Sequence, residues 1–170
     1  MDAVQRARGV RLAIFDVDGV MTDGTLFIGA HGEIAKPFNI LDGHGFKMLQ
    51  QAGVACAIIS GRSSEAVAWR ARELSIEHVV QGSADKVADF DRLRTRLAID
   101  AQACSFMGDD LPDLAVMQRC GFAVAVANAV EAVKRAAHLV TAASGGRGAV
   151  REFSDFVLRA RGQLADGRAV

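Results

Sequence analysis

The chain has 170 residues, 51% of them hydrophobic, which suffices for one well-filled core and is too short for two ordinary domains. Twenty basic residues balance twenty acidic ones, so the charge gives no support for a nucleic-acid or anionic-membrane partner. The opening MDAVQRARGV lacks the apolar stretch of a signal peptide, and no run approaches the roughly 20 apolar residues of a membrane span, so a soluble cytoplasmic protein is expected. Cys56, Cys104 and Cys120 are odd in number and without paired spacing, and read as reduced core residues.

In chain order, residues 11–15 form a strand that ends in Asp16 and Asp18. Residues 24–39 break into two β-type pieces around Gly29 to Gly32, which predicts an inserted hairpin. Its apolar residues Leu26, Phe27, Ile28 and Phe38 ask for burial against the domain or another subunit. Residues 43–52 read as a helix, 54–59 as a buried strand, and 64–74 as a helix opened by Ser64. A brief strand at 78–80, a helix at 86–97 and a strand from 103 to Gly108 follow. The rest reads as a helix at 111–119, a strand at 122–126, a helix at 129–137 and a short strand at 138–141. Repeated β-then-α units predict an α/β fold with a doubly wound, mostly parallel sheet, its core spanning about residues 10–160 and a loose tail after Leu164.

Ligands of open α/β sheets bind at the carboxyl ends of the strands, so the residues placed there carry the chemistry. They are Asp16 and Asp18, then Ser60-Gly61-Arg62, then Lys86 at a helix start, then Gly108-Asp109-Asp110. A carboxylate such as Asp16 can attack phosphorus to give an aspartyl-phosphate. Nucleophile and phosphate are both anionic, which calls for a hard, oxygen-ligated cation, Mg²⁺. Asp109 would be its second carboxylate ligand, and Asp110 or Asp113 would support it. Ser60 and Lys86 suit the phosphoryl oxygens. Asp18 lies two residues on, on the same side of an extended backbone as Asp16, and suits the acid/base role.

Asp16-Val17-Asp18-Gly19, Ser60, Lys86 and Gly108-Asp109-Asp110, in that order and on those strand ends, resemble the four motifs of the haloacid dehalogenase-like phosphohydrolases. Within that superfamily DVDGVMTDG, FNILDGHGFK, ISGRS, GDDLPDL and GGRGAVRE resemble the 3-deoxy-D-manno-octulosonate 8-phosphate phosphatases, over about residues 10–160. The resemblance implies that Asp16 is the nucleophile, that Asp18 is the acid/base and also offers its backbone carbonyl to Mg²⁺, and that Asp109 is a metal ligand. Ser60 and Lys86 would bind the phosphoryl group. Two positions depart from that group: Leu41 stands where relatives carry arginine, and His44 where they carry an apolar residue. A nine-carbon sugar acid phosphate of the neuraminate type is therefore a second candidate substrate.

Residues 18–60 hold room for the hairpin and a helix, and 86–109 for one helix and one strand, which implies a member without a cap domain. In such members the resemblance implies a homotetramer whose hairpins assemble through residues such as Phe27, Ile28 and Phe38, a neighbour covering the cleft. Arg147, in Gly145-Gly146-Arg147-Gly148, is a candidate for a sugar carboxylate, though the stretch also reads as a plain turn. Arg62 suits either substrate binding or a structural ion pair. In Asp42-Gly43-His44-Gly45, Asp42 and His44 are candidate substrate contacts facing the site. Trp69 is expected to pack, and His31, His78 and His138 lack ligand spacing. A phospho-acceptor regulatory module, the non-enzymatic alternative, would place its acceptor aspartate on a middle strand and its metal acids on the first, unlike the spacing here.

Overall fold

The computed structural model describes residues 1–164. The chain runs α1 (Ala3–Arg8), β1 (Leu12–Phe15), a hairpin of β2 (Phe27–Gly29) and β3 (Gly32–Ala35), α2 (Ile40–Gln51), β4 (Ala55–Ile59) and α3 (Glu65–Glu73). It continues through β5 (His78–Val80), α4 (Lys86–Arg96), β6 (Cys104–Gly108), α5 (Leu114–Met117), β7 (Phe122–Ala125), α6 (Glu131–Ala136), β8 (Leu139–Val140) and α7 (Ala149–Ala160). Six strands form one parallel sheet in the order β5-β4-β1-β6-β7-β8, and β2 pairs only with β3, antiparallel. Residues 16–54 thus hold the hairpin and α2, and residues 81–103 hold α4 and a 3₁₀ turn, with no inserted cap. The loose tail expected after Leu164 lies outside the described residues.

The continuous apolar runs in the central strands become fully buried strands, because helices cover both faces. On one face Phe15 meets Phe46 of α2 edge-on at 4.6 Å and Phe153 of α7 at 5.6 Å between ring centroids. Two glycines interrupt α2 where a glycine normally weakens a helix. A Cβ at Gly45 would stand 2.8 Å from Ser154 Oγ, so the close packing of α7 requires the bare backbone there. The three cysteines are free and buried, and burial pushes the Cys56 thiol up to about 12, as expected of inert core residues.

Several element ends differ from the sequence reading for local reasons. α2 begins three residues early, since the Asn39 side chain accepts from the N–H groups of Leu41 and Asp42. The helix expected over 111–119 is a 3₁₀ turn (Leu111–Asp113) followed by the short α5, with Asp110 and Asp113 capping the turn around Pro112. Ser64 does not cap α3; its hydroxyl donates to Glu33 instead. Trp69 was expected to pack, yet it is 61% exposed, beside Lys36, Phe38, Ile40 and Arg70.

Asp42 also changes role. It is buried, and its Oδ1 accepts from Arg151 N–H at 2.9 Å and its Oδ2 from Gly148 N–H at 3.3 Å. Both oxygens are therefore committed to the N-terminus of α7, which Gly148 cannot cap with a side chain of its own. The sequence reading offered Asp42 as a substrate contact; the role its hydrogen bonds show is that of a cap for α7. Asp42→Ala should lower the unfolding free energy by about 1–2 kcal/mol in urea titrations, the usual loss for a helix cap. An unchanged midpoint would remove Asp42 from the helix-capping account.

Candidate active site

The register of the sheet assembles the site. Phe15 lies opposite Ile58 of β4 and Met107 of β6, so Asp16, Ser60 and Asp109 leave three adjacent strands at one end. The N–H of Asp16 donates to Met107 O at 3.0 Å, which holds the loop to the carboxyl end of the central strands. α4 is capped by Asp85, which accepts from Val87 and Ala88 N–H and starts the helix at Lys86. From there the Lys86 ammonium stands 2.7 Å from Asp113 Oδ1 and 3.0 Å from Asp16 Oδ1. Asp113 Oδ2 accepts from the N–H groups of Asp109 and Asp110, at 3.0 and 3.3 Å.

Three carboxylates therefore share one lysine. Oxygens of Asp16, Asp109 and Asp113 lie within 4.8 Å of one another. Asp16 Oδ1 and Asp109 Oδ1 are buried without a hydrogen-bond partner among the described residues; Lys86 sits at ion-pair distance from the former but off the hydrogen-bonding direction. Burial, then the Asp113 charge, pushes the Asp16 carboxyl up to about 6. Burial, then Asp16 and Asp113, pushes Asp109 up to about 7. Burial also opposes the charge on Lys86, but Asp16 and Asp113 outweigh it and raise its pKa. Orphaned, buried acid oxygens converging on one point are the donor set a hard divalent cation takes, so the residues fit Mg²⁺.

The fit also sorts the acids. Asp113 spends both oxygens on Lys86 and two amides, so it supports Asp109 rather than offering a free ligand atom. Asp18 is not among the converging acids: its Oδ1 accepts from the Lys36 ammonium and its Oδ2 lies 3.8 Å from Arg62 Nε. Only its backbone carbonyl is left for the metal role expected of it. Gly19 follows with φ +92°, and a Cβ there would overlap the Asp109 carboxylate, so this close approach requires glycine. Buried Thr22 holds the same loop, accepting from Gly24 N–H at 3.2 Å.

The remaining expected residues divide. Ser60 is buried at the end of β4, its Oγ accepting from Arg62 N–H at 3.3 Å, and Gly61 beside it is exposed. Arg62 is half exposed and stands 3.8 Å from Asp18 and 3.9 Å from Glu33, the ion-pair arrangement. His44 is exposed on α2 and makes no hydrogen bond or ion pair among the described residues. Arg147 is exposed and pairs with Asp23 at 3.1 Å. The structure adds two residues the sequence reading passed over, Lys36 and Glu33 of the hairpin, 3.2 Å apart. A lysine set directly before Pro37 at the end of an apolar hairpin was the available signal.

A family model for haloacid dehalogenase-like hydrolases matches residues 68–153. The 3-deoxy-D-manno-octulosonate 8-phosphate phosphatase of Yersinia pestis is 43% identical over 163 residues, covering 96% of this chain and 87% of that protein. The chain belongs to the haloacid dehalogenase-like hydrolases. Its fold superposes on a crystal structure of the Yersinia pestis phosphatase with a TM-score of 0.94, at 43% identity over 96% of this chain and 88% of the other. The Moraxella catarrhalis phosphatase, solved in complex with a magnesium ion, a phosphate ion and a KDO molecule, aligns with a TM-score of 0.92 and 39% identity, covering 94% and 92%.

The metal-free hydrolase should show the strain of its acids in its pH dependence. Asp16 and Asp109 keep protons up to about 6 and about 7, whereas the unfolded chain loses them near the usual 3.8. Between pH 4 and 7 the folded state thus binds more protons, and these two groups make stability fall as pH rises through that window. In chelator these two carboxyls should pull the melting temperature down over that range, against His138, whose pKa burial lowers and which acts in the opposite sense. Asp109→Asn should flatten the slope in calorimetric scans; a slope identical to that of the wild type would mean that Asp109 is not strained.

Proposed function

We propose that the chain hydrolyses 3-deoxy-D-manno-octulosonate 8-phosphate to the free sugar acid and phosphate, as a Mg²⁺-dependent step of lipopolysaccharide precursor synthesis. The observation that carries the reading is the buried, hydrogen-bond-free Asp16 Oδ1 beside Lys86, at the strand end where a nucleophile is wanted. The names of relatives at about two-fifths identity supply the substrate.

In this reading Asp16 attacks phosphorus, the bond from phosphorus to the sugar oxygen breaks, and Asp18 gives that oxygen a proton. Asp18 then takes a proton from the water that attacks the aspartyl-phosphate, which frees phosphate and restores Asp16. Mg²⁺, when bound, offsets the negative charge of Asp16, Asp109 and the phosphoryl oxygens. Lys86 and Ser60 hold those oxygens, and Lys86 is kept straight by Asp113. Arg62, exposed and next to Asp18, is the cation we assign to the sugar acid, with Arg147 and His44 as further candidates.

We read residues 1–170 as a single cytoplasmic domain that acts as a homotetramer. Leu26, Phe27, Ile28 and Ile34 of the hairpin are exposed, and a two-stranded hairpin with bare apolar residues gains by packing on other copies. No helix among the described residues is long and apolar enough to cross a membrane. The test compares kcat/KM for the eight-carbon substrate and a neuraminate-type 9-phosphate, with Asp16→Asn as control. The eight-carbon substrate should win by about 10²-fold or more, and the variant should lose at least about 10³-fold. Preference for the nine-carbon substrate would overturn the assignment of substrate, and an active Asp16→Asn would overturn the mechanism.

A further inference from the structure

The hairpin sends one charged group into the interior. Lys36, one residue beyond β3, has a side chain only 1% exposed, and its ammonium contacts two acids, Asp18 and Glu33. A buried ammonium is tolerated only when paired and well held. Pro37 fixes the backbone just after it, and Glu33 is itself fixed by the hydroxyl of Ser64 at the start of α3. Glu33 is held well ionised, chiefly by that Ser64 bond and then by Lys36. Lys36 is also the one hydrogen-bond donor to the Asp18 carboxylate among the described residues. The other cation near Asp18, Arg62, is half exposed and stands beyond hydrogen-bond reach at 3.8 Å.

We propose that Lys36 is a positioning residue for Asp18: it locks Oδ1 on the hairpin side and leaves Oδ2, which lies 3.8 Å from Arg62 Nε and accepts no hydrogen bond among the described residues, for the oxygen of the leaving group. The inference rests on the phosphatase reading above and extends it to the hairpin, which thereby becomes part of the acid/base machinery. Without Lys36 the carboxylate is free to rotate about its two side-chain torsions, and only a fraction of its orientations would reach the departing oxygen. The consequence is selective. A sugar alkoxide leaves poorly without a proton, whereas p-nitrophenolate leaves readily as an anion, so only the first should feel the loss of Lys36.

The experiment measures kcat/KM of the full chain with Mg²⁺ on the sugar acid 8-phosphate and on p-nitrophenyl phosphate. This parameter covers steps through phosphoryl transfer to Asp16 and so excludes the later hydrolysis, in which Asp18 serves both substrates. Lys36→Met should lose about 10²-fold on the sugar phosphate and no more than about threefold on the aryl phosphate, and Lys36→Arg should regain most of the loss. Because Lys36→Met also strands Glu33, the double variant Glu33→Gln/Lys36→Met should show the same split with a folded chain. Equal losses on both substrates, or none on either, would overturn the assignment. A wild type silent on both would reject the phosphatase reading itself, and the inference with it.

Discussion

One ammonium, that of Lys86, stands against three carboxylates, and the rest of the site is arranged around that shortage. Its two short contacts go to Asp16 and Asp113, so Asp109 is left with its neighbours' negative charge and little to offset it. An unpaired buried carboxylate is disfavoured by several kcal/mol unless it takes up a proton or a ligand satisfies it. The sheet, the capped start of α4 and the glycine at position 19 all serve to bring these acids together, because each fixes one side chain within a few ångströms of the next. Asp113 shows the division of labour most clearly. By holding Lys86 with one oxygen and two backbone amides with the other, it ties the ends of β6 and α4 into a single rigid unit.

A second charged group, built from the hairpin, faces the first. Lys36 and Glu33 belong to a two-stranded ribbon that makes no ladder with the main sheet, so its placement depends on side-chain bonds to Asp18, Arg62 and Ser64. The polar side of the hairpin thus meets the site, while its apolar residues stay exposed.

Much of this was legible from residue order. The alternation of short apolar runs with helical periods gave the parallel sheet, and the rule that ligands sit at strand ends singled out Asp16, Ser60, Lys86 and Asp109, which the fold brings to one end of the sheet. What escaped has a common cause. α1 was missed because it is a single short amphipathic turn or two whose signal is the Asp2–Gln5 capping box. The cap supplied by Asp42 and the contact made by Lys36 escaped because their partners, Gly148 and Arg151 for one and Asp18 for the other, lie far away in sequence. A local pattern can announce a cap on its own helix but not a cap supplied to another.

The central claim is that the buried oxygens of Asp16 and Asp109 form a cation site, with Asp113 held back as support. Anomalous diffraction from crystals soaked in Mn²⁺, a stand-in for Mg²⁺ with a measurable signal, tests it most directly. The account predicts one strong peak in contact with the carboxylates of Asp16 and Asp109, with Asp113 still bonded to Lys86. A peak on the Asp18 carboxylate, a displaced Lys86, or no peak in the cluster at saturating metal would contradict it.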